Sequence, residues 1–167
     1  MQGKLQQVYR VSKELGQNSL LSGSFQLSKL ARLCSLILSE EADLKVTFEF
    51  STDVYQHPSI KGHLDTELLV ECQRCLEPMV HPIDLDFHLL IDATEEDVQS
   101  FQIDTVYTDE GYLDVFEVIE DELILALPLI SMHEDSTCNK NWQPDSDEEM
   151  VVEKVNPFSV LEALKSK

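Results

Sequence analysis

The strongest constraint on folding is a pair of strand-like runs flanking a C-x2-C. The run Leu64-Asp65-Thr66-Glu67-Leu68-Leu69-Val70-Glu71 leads directly into Cys72-Gln73-Arg74-Cys75. Beyond Pro78 and Pro82, the residues Ile83, Leu85, Phe87, Leu89 and Ile91 alternate with Asp84, Asp86, His88 and Leu90. That is the two-residue period of a strand with one apolar and one mostly polar face. Strands over about residues 62–71 and 83–91 predict a hairpin with the C-x2-C at its tip. The two thiols of such a knuckle turn back toward one point, as a tetrahedral metal requires.

A C-x2-C is half of such a site. The other half is sought in Cys138, which lies in a polar segment where a core role is hard to argue, and in His133, five positions before it. Together they read C-x2-C…H-x4-C, two ligand pairs of acceptable spacing for a closed, structural zinc site of Cys72, Cys75, His133 and Cys138. His81 is the alternative fourth ligand. Unligated thiols are the simpler alternative, and a redox dithiol the weaker one, because Pro78 and Pro82 suit a hairpin rather than a helix after the second cysteine.

The rest of the chain adds elements around the hairpin. Lys45-Val46-Thr47-Phe48-Glu49-Phe50 alternates like a half-buried strand, and His57-Pro58-Ser59 reads as a turn. Ser24 is a candidate N-cap for a helix running through Cys34, with Leu27, Leu30, Leu33 and Cys34 on one face and Lys29 and Arg32 on the other. Cys34 reads as a small core residue. The segment through Gln17 is weakly periodic and reads as an extended arm. Asp92–Thr105 reads as an acidic loop. From Leu113 to Leu127 the period becomes helical, with Asp114 in the first turn and Pro128 at the end. Residues 131–150 are polar and irregular, and Asn156-Pro157-Phe158 opens a short terminal helix.

These readings combine into an α+β fold: an antiparallel sheet centred on the hairpin, with one long helix and terminal helices packed on it. The 167 residues, 43% of them hydrophobic, suffice for one domain with a real core. The expected domain spans 1–167, with 92–105 and 131–150 as flexible loops.

Charge narrows the partners. The chain carries 32 acidic and 12 basic residues, a net −20. From Cys75 to Asn139 there are seventeen Asp and Glu and no Lys or Arg, whereas residues 1–39 hold Lys4, Arg10, Lys13, Lys29 and Arg32 against Glu14 alone. A bulk charge of this sign repels nucleic acid and favours a basic partner. Glu117, Glu120 and Asp121 approach one side of the long helix and are the candidate acidic face for that partner. A solvated helix side is the blander reading. Direct RNA binding falls to Arg10, Lys13, Lys29 and Arg32, or else these residues dock on the chain's own acidic helix. No phosphate-cradling glycine loop and no G-x-S-x-G elbow occurs, so an RNA-processing enzyme is the weakest reading. No signal-peptide pattern or membrane-length apolar run is present, which places the expected location in the cytosol with reduced thiols.

Three stretches carry a resemblance. They are Leu69-Val70-Glu71-Cys72-Gln73-Arg74-Cys75-Leu76-Glu77-Pro78, then Val118-Ile119-Glu120-Asp121-Glu122-Leu123-Ile124-Leu125-Ala126-Leu127-Pro128, then Asn156-Pro157-Phe158-Ser159-Val160-Leu161-Glu162-Ala163-Leu164-Lys165. In this order and spacing the chain resembles the large ribosomal RNA subunit accumulation protein family, YceD. The match before residue 60 is loose. The resemblance implies a cytosolic bacterial factor needed for synthesis, processing or stability of large-subunit (23S) ribosomal RNA, with a gene often beside one for a large-subunit ribosomal protein. It supports Cys72 and Cys75 better than His133 and Cys138, and it implies no molecular mechanism. The expected partner is a large-subunit ribosomal protein or a pre-ribosomal particle.

Overall fold

Alternating burial along three long strands builds the main sheet. The computed structural model describes residues 5–17, 19–52 and 57–139. Strand β1 (Val8–Arg10) leads into helix α1 (Val11–Gln17), strand β2 (Leu20–Gln26), a 3-10 turn (Leu27–Lys29) and the short helix α2 (Ala31–Cys34). Strands β3 (Asp43–Thr52), β4 (Pro58–Glu71) and β5 (Pro78–Ile91) follow. Helix α3 (Glu95–Phe101), strands β6 (Thr105–Val106) and β7 (Tyr112–Asp114) and helix α4 (Val115–Ala126) complete the order.

The sheet runs β2-β3-β4-β5-β6, antiparallel except for the parallel β5–β6 pair, which α3 connects. β4 and β5 form a hairpin in register from Ser59↔Leu90 to Glu71↔Pro78. One face collects Leu44, Val46, Phe48 and Phe50 of β3, Ile60, Leu64 and Leu68 of β4, and Ile83 and Phe87 of β5, all buried. Their neighbours along the strands, Lys45, Glu49, Lys61, Asp84 and Asp86, point to the other side and are exposed. Each large apolar side chain buried this way contributes about 1.5–3 kcal/mol.

The core is closed from the buried face by Leu27, Leu30 and Leu33, by Val115, Val118, Ile119 and Leu123 of α4, and by the β1–β7 ribbon. Tyr9 of that ribbon meets Phe48 edge-on, with ring centroids 5.8 Å apart. Phe25 of β2 stacks on Phe116 of α4 at 4.5 Å, and the Lys29 ammonium sits 5.4 Å from the Phe25 ring centre.

Several expectations change. The segment through Gln17 is a strand and a helix rather than an extended arm, because Val8, Tyr9 and Arg10 find partners in Asp114, Leu113 and Tyr112. The helix expected from Ser24 does not start there. Ser22, Gly23 and Ser24 are weak helix formers, and Leu20–Gln26 pairs with Asp43–Glu49 as a strand. Helical structure begins at Leu27 and is interrupted at Leu30, whose backbone lies at φ −105°, ψ 83°. His57-Pro58-Ser59 opens β4, with proline at the first strand position where its missing N–H is tolerated.

Asp92–Thr105, expected as a loop, holds α3, and Thr94 and Asp97 form a reciprocal capping box at its start. Asp114 is the N-cap of α4 rather than a first-turn residue, accepting from the Phe116 and Glu117 amides. Residues 131–139 form neither helix nor strand. The terminal helix at Asn156-Pro157-Phe158 and the stretch 140–150 lie outside the described residues. Among the described residues, no helix is long and apolar enough to cross a membrane.

Candidate metal centre and charged surfaces

The β4–β5 connection is built around its own backbone. The Leu76 amide donates to the Cys72 carbonyl at 2.8 Å, and the Cys72 amide donates to the Glu77 carbonyl at 3.0 Å. Closing the turn puts Leu76 at φ 62°, a left-handed conformation that costs a non-glycine residue about 1–2 kcal/mol.

After α4 the chain returns to this turn and is laced to it. Gln73 donates its amide to the Ser131 carbonyl at 2.8 Å. The Arg74 guanidinium donates to the Asp135 carbonyl at 2.9 Å, and Asn139 Nδ2 donates to the Arg74 carbonyl at 3.1 Å. Asp135 in turn accepts from the Thr137 amide at 2.8 Å, shaping the bend that carries Cys138.

This lacing brings together Cys72, Cys75, His133 and Cys138. One ligand atom from each lies within 4.8 Å of every other. Cys72 Sγ is 4.0 Å from Cys138 Sγ, and Cys75 Sγ is 3.4 Å from His133 Nδ1. Cys72 is buried, the other three half-buried, and all four cysteines are free thiols. The four residues can hold one metal ion.

Their acidity is divided. Burial works to raise the Cys72 thiol, but hydrogen bonds from the Cys75, His133 and Arg74 backbones outweigh it and bring it down to about 5. Cys75 receives a lowering hydrogen bond from the Glu77 backbone, yet burial and the neighbouring Cys72 and Cys138 sulfurs push it up. Metal binding would release the protons of the thiols that ligate it.

His81 does not join them. It lies in β5 opposite Leu68. His63 binds Asp86 through Nδ1 at 2.9 Å on the exposed face of the sheet. Cys34 is half-buried, donates to the Leu27 carbonyl, and has its thiol raised chiefly by burial.

The charged candidates separate just as sharply. Glu120 is turned inward at 7% exposure. Its Oε1 accepts from the Arg32 and Leu33 amides at 2.6 and 3.0 Å, and its Oε2 from Arg32 Nε at 2.9 Å. Arg32 also reaches Asp121 at 2.7 Å. Glu120 and Asp121 thus engage the chain's own basic segment, while Glu117 is exposed. Among the basic candidates, Arg32 is held by these carboxylates and Lys29 by two aromatic rings. Arg10 and Lys13 are exposed.

Sequence reasoning missed a run of exposed apolar side chains at the end of α4 and in the segment that follows it. Leu125, Leu129 and Ile130 protrude from the end of α4 and the return strap, Leu129 at 98% exposure. The signal was the unbroken apolar run Leu123–Ile130, longer than one helix face can bury.

Comparison with known proteins points one way. A model of the family described as large ribosomal RNA subunit accumulation protein YceD matches residues 60–165. The protein of Haemophilus influenzae with that same name is 31% identical over 151 residues, covering 87% of each chain. No solved structure matches the chain.

Proposed function

The chain belongs to the YceD family, whose name ties it to accumulation of large-subunit ribosomal RNA, and we propose that it serves there as a non-enzymatic binding factor. Its partner is a basic large-subunit ribosomal protein or a nascent large-subunit particle carrying one, met in the cytosol. The observation that carries this reading is the charge of the segment from Cys75 to Asn139, seventeen acids without a Lys or Arg. With Glu120 and Asp121 engaged internally, the exposed Glu117 and Glu134 are acids of this segment offered to a partner, and Leu125, Leu129 and Ile130 of the same segment are exposed apolar residues. Complementary charge speeds encounter and excludes anionic competitors. Direct RNA contact is disfavoured, because Arg32 and Lys29 are occupied by the chain itself and Arg10 and Lys13 alone supply few phosphate contacts.

Within this reading the four-residue cluster holds a structural zinc ion. A tetrahedral zinc with bonds of about 2.3 Å to sulfur and 2.0 Å to nitrogen needs ligand atoms about 3.5–3.8 Å apart. The 4.0 Å Cys72–Cys138 and 3.4 Å Cys75–His133 separations lie near these values, and with all four ligand atoms within 4.8 Å of one another the cluster needs only a small contraction around the ion. With four protein ligands no position remains for a substrate, so the ion would tie the hairpin tip to the strap.

Affinity purification from nuclease-treated lysate, washed at low and at high salt, tests the proposal. The expected result is an identified large-subunit ribosomal protein retained at low salt and released at high salt. Recovery of no large-subunit ribosomal protein from that lysate would overturn it, as would retention of ribosomal RNA without such a protein from untreated lysate.

A further inference from the structure

The two edges of the main sheet are protected very differently. Beyond the two residues covered by β6, the free edge of β5 carries Pro78, Pro82, Asp84 and Asp86. Proline and charge are the usual devices that stop an edge from recruiting another strand. The opposite edge, β2, reads Leu20-Leu21-Ser22-Gly23-Ser24-Phe25-Gln26 and has neither.

The hydrogen-bond phase of β2 shows which groups are available. Ser19 accepts from the Phe50 amide and Leu27 donates to the Ala42 carbonyl, each at 3.1 Å. In the β2–β3 register, the odd-numbered residues of β2 are therefore the hydrogen-bonded partners of β3. The N–H and C=O groups of Leu20, Ser22, Ser24 and Gln26 point the other way, and among the described residues no backbone group lies against them. Leu20 is 69% exposed.

We propose that β2 is a self-association edge, at which two copies of this chain pair antiparallel about a two-fold axis through Gly23 and join their sheets. The sequence is self-complementary about that residue. Ser22 faces Ser24 of the second copy and Leu20 faces Gln26, so the four outward-pointing residues become hydrogen-bonded pairs. Gly23 meets Gly23 at a non-hydrogen-bonded position, where backbones approach most closely. Leu21 faces Phe25 on the apolar side.

The symmetry of the β2 sequence about Gly23 favours a second copy, and charge permits it at this edge. Across residues 19–52 there are three basic and four acidic side chains, in a chain of net −20. Here two such chains can approach without the repulsion that separates them elsewhere. An extended segment of another protein, or other residues of this chain, are the competing occupants.

Sedimentation of the full chain over a range of concentrations tests the proposal with two variants. The wild type is expected to move from 19.1 kDa toward twice that mass. Ser22→Glu/Ser24→Glu sets like charges opposite each other twice across the dyad and should weaken the dimer about tenfold. Ser22→Lys/Ser24→Glu sets opposite charges there and should restore it. Circular dichroism of each variant checks folding, since both side chains lie on the face away from the core. A wild type that stays at 19.1 kDa, assemblies larger than a dimer, or a doubly acidic variant that dimerises as well as the wild type would each overturn the proposal.

Discussion

Glu120 of α4 caps α2 from outside that helix. Leu30 stands at the N-cap of α2 without a side-chain hydrogen bond, and the amides of the second and third residues of the helix, Arg32 and Leu33, both donate to Glu120 Oε1. A four-residue helix cannot sustain itself in isolation, so α2 exists because α4 delivers a carboxylate to it. Glu120→Ala should destabilise the protein by about 2–3 kcal/mol, because it leaves two amides without their charged acceptor. Glu120→Gln should cost less, since the amide oxygen still accepts. Urea titration reads both, with the midpoint falling and the slope unchanged.

The same contact fixes an acid limb. Burial would raise the Glu120 carboxyl, but the Leu33 amide, the Arg32 side chain and the Arg32 amide outweigh it and hold it below the ordinary value of 4.5. A depressed carboxyl contributes stability that is complete above its unfolded pKa and lost as pH falls through the folded one. Glu122, two positions on, is raised by burial, with Asp104 and Asp121 adding to the effect. Its ionisation opposes folding, and that opposition fades on acidification. Stability measured against pH should fall below about 4.5 in the wild type. It should fall less steeply in Glu120→Gln, and Glu122→Gln should gain stability at neutral pH. A wild-type limb unaltered by Glu120→Gln would show that other groups control it.

Zinc content separates the clustered cysteines from Cys34. Protein purified with zinc should hold one ion per chain by elemental analysis. Cys72→Ser and Cys138→Ser should each lose it and melt at lower temperature, while Cys34→Ser retains it. Arg74→Ala removes the 2.9 Å bond to Asp135 and the 3.6 Å contact with Cys138 Sγ, and should weaken zinc binding about 10–100-fold, as loss of a supporting interaction does. Affinity should rise with pH, because each thiol must lose its proton to ligate the metal. Zinc held equally by all of these variants would remove the cluster from consideration.

How legible the molecule was in its sequence depended on whether local pattern or distant packing decided the outcome. The alternation of Ile83 to Ile91 against Asp84, Asp86 and His88 reads directly as a strand, because one face is buried and the other wet. Cys138 stood out because a cysteine in a polar segment has no core to fill. The docking of Arg32 on the acidic helix was legible as an alternative, and it is the one the structure bears out; the burial of Glu120 was not legible, because a carboxylate on a charged helix side is expected in solvent and only the placement of α2 turns it inward. Nothing between residues 24 and 34 announces that Leu30 lacks a cap which residue 120 supplies. Thr94 and Asp97 were a readable capping signal for α3, overlooked among the surrounding acids. Ser24 reads locally as a helix cap, and only the partners that β3 offers make Ser22-Gly23-Ser24 a strand.

Gly62 offers a test of the sheet itself. It pairs with Phe48 on one side and Phe87 on the other, so three consecutive strands place two aromatic rings across a position with no side chain. The Phe87 ring fills that space: a Cβ on residue 62 would collide with Phe87 Cζ and Cε1 and lie 3.0 Å from the Thr47 carbonyl oxygen. The ring is buried, so moving it means repacking its surroundings, and the Thr47 oxygen belongs to the sheet backbone. Gly62→Ala should therefore cost about 1–3 kcal/mol by overpacking, against the small gain alanine normally brings to a strand interior. Phe87→Leu alone should also destabilise, by opening a cavity over residue 62. The double variant should be more stable than the sum of the two predicts, because the methyl added at residue 62 occupies space the ring has left. Denaturant titration of the four proteins gives the coupling, and strict additivity would mean that Gly62 and Phe87 do not share that space.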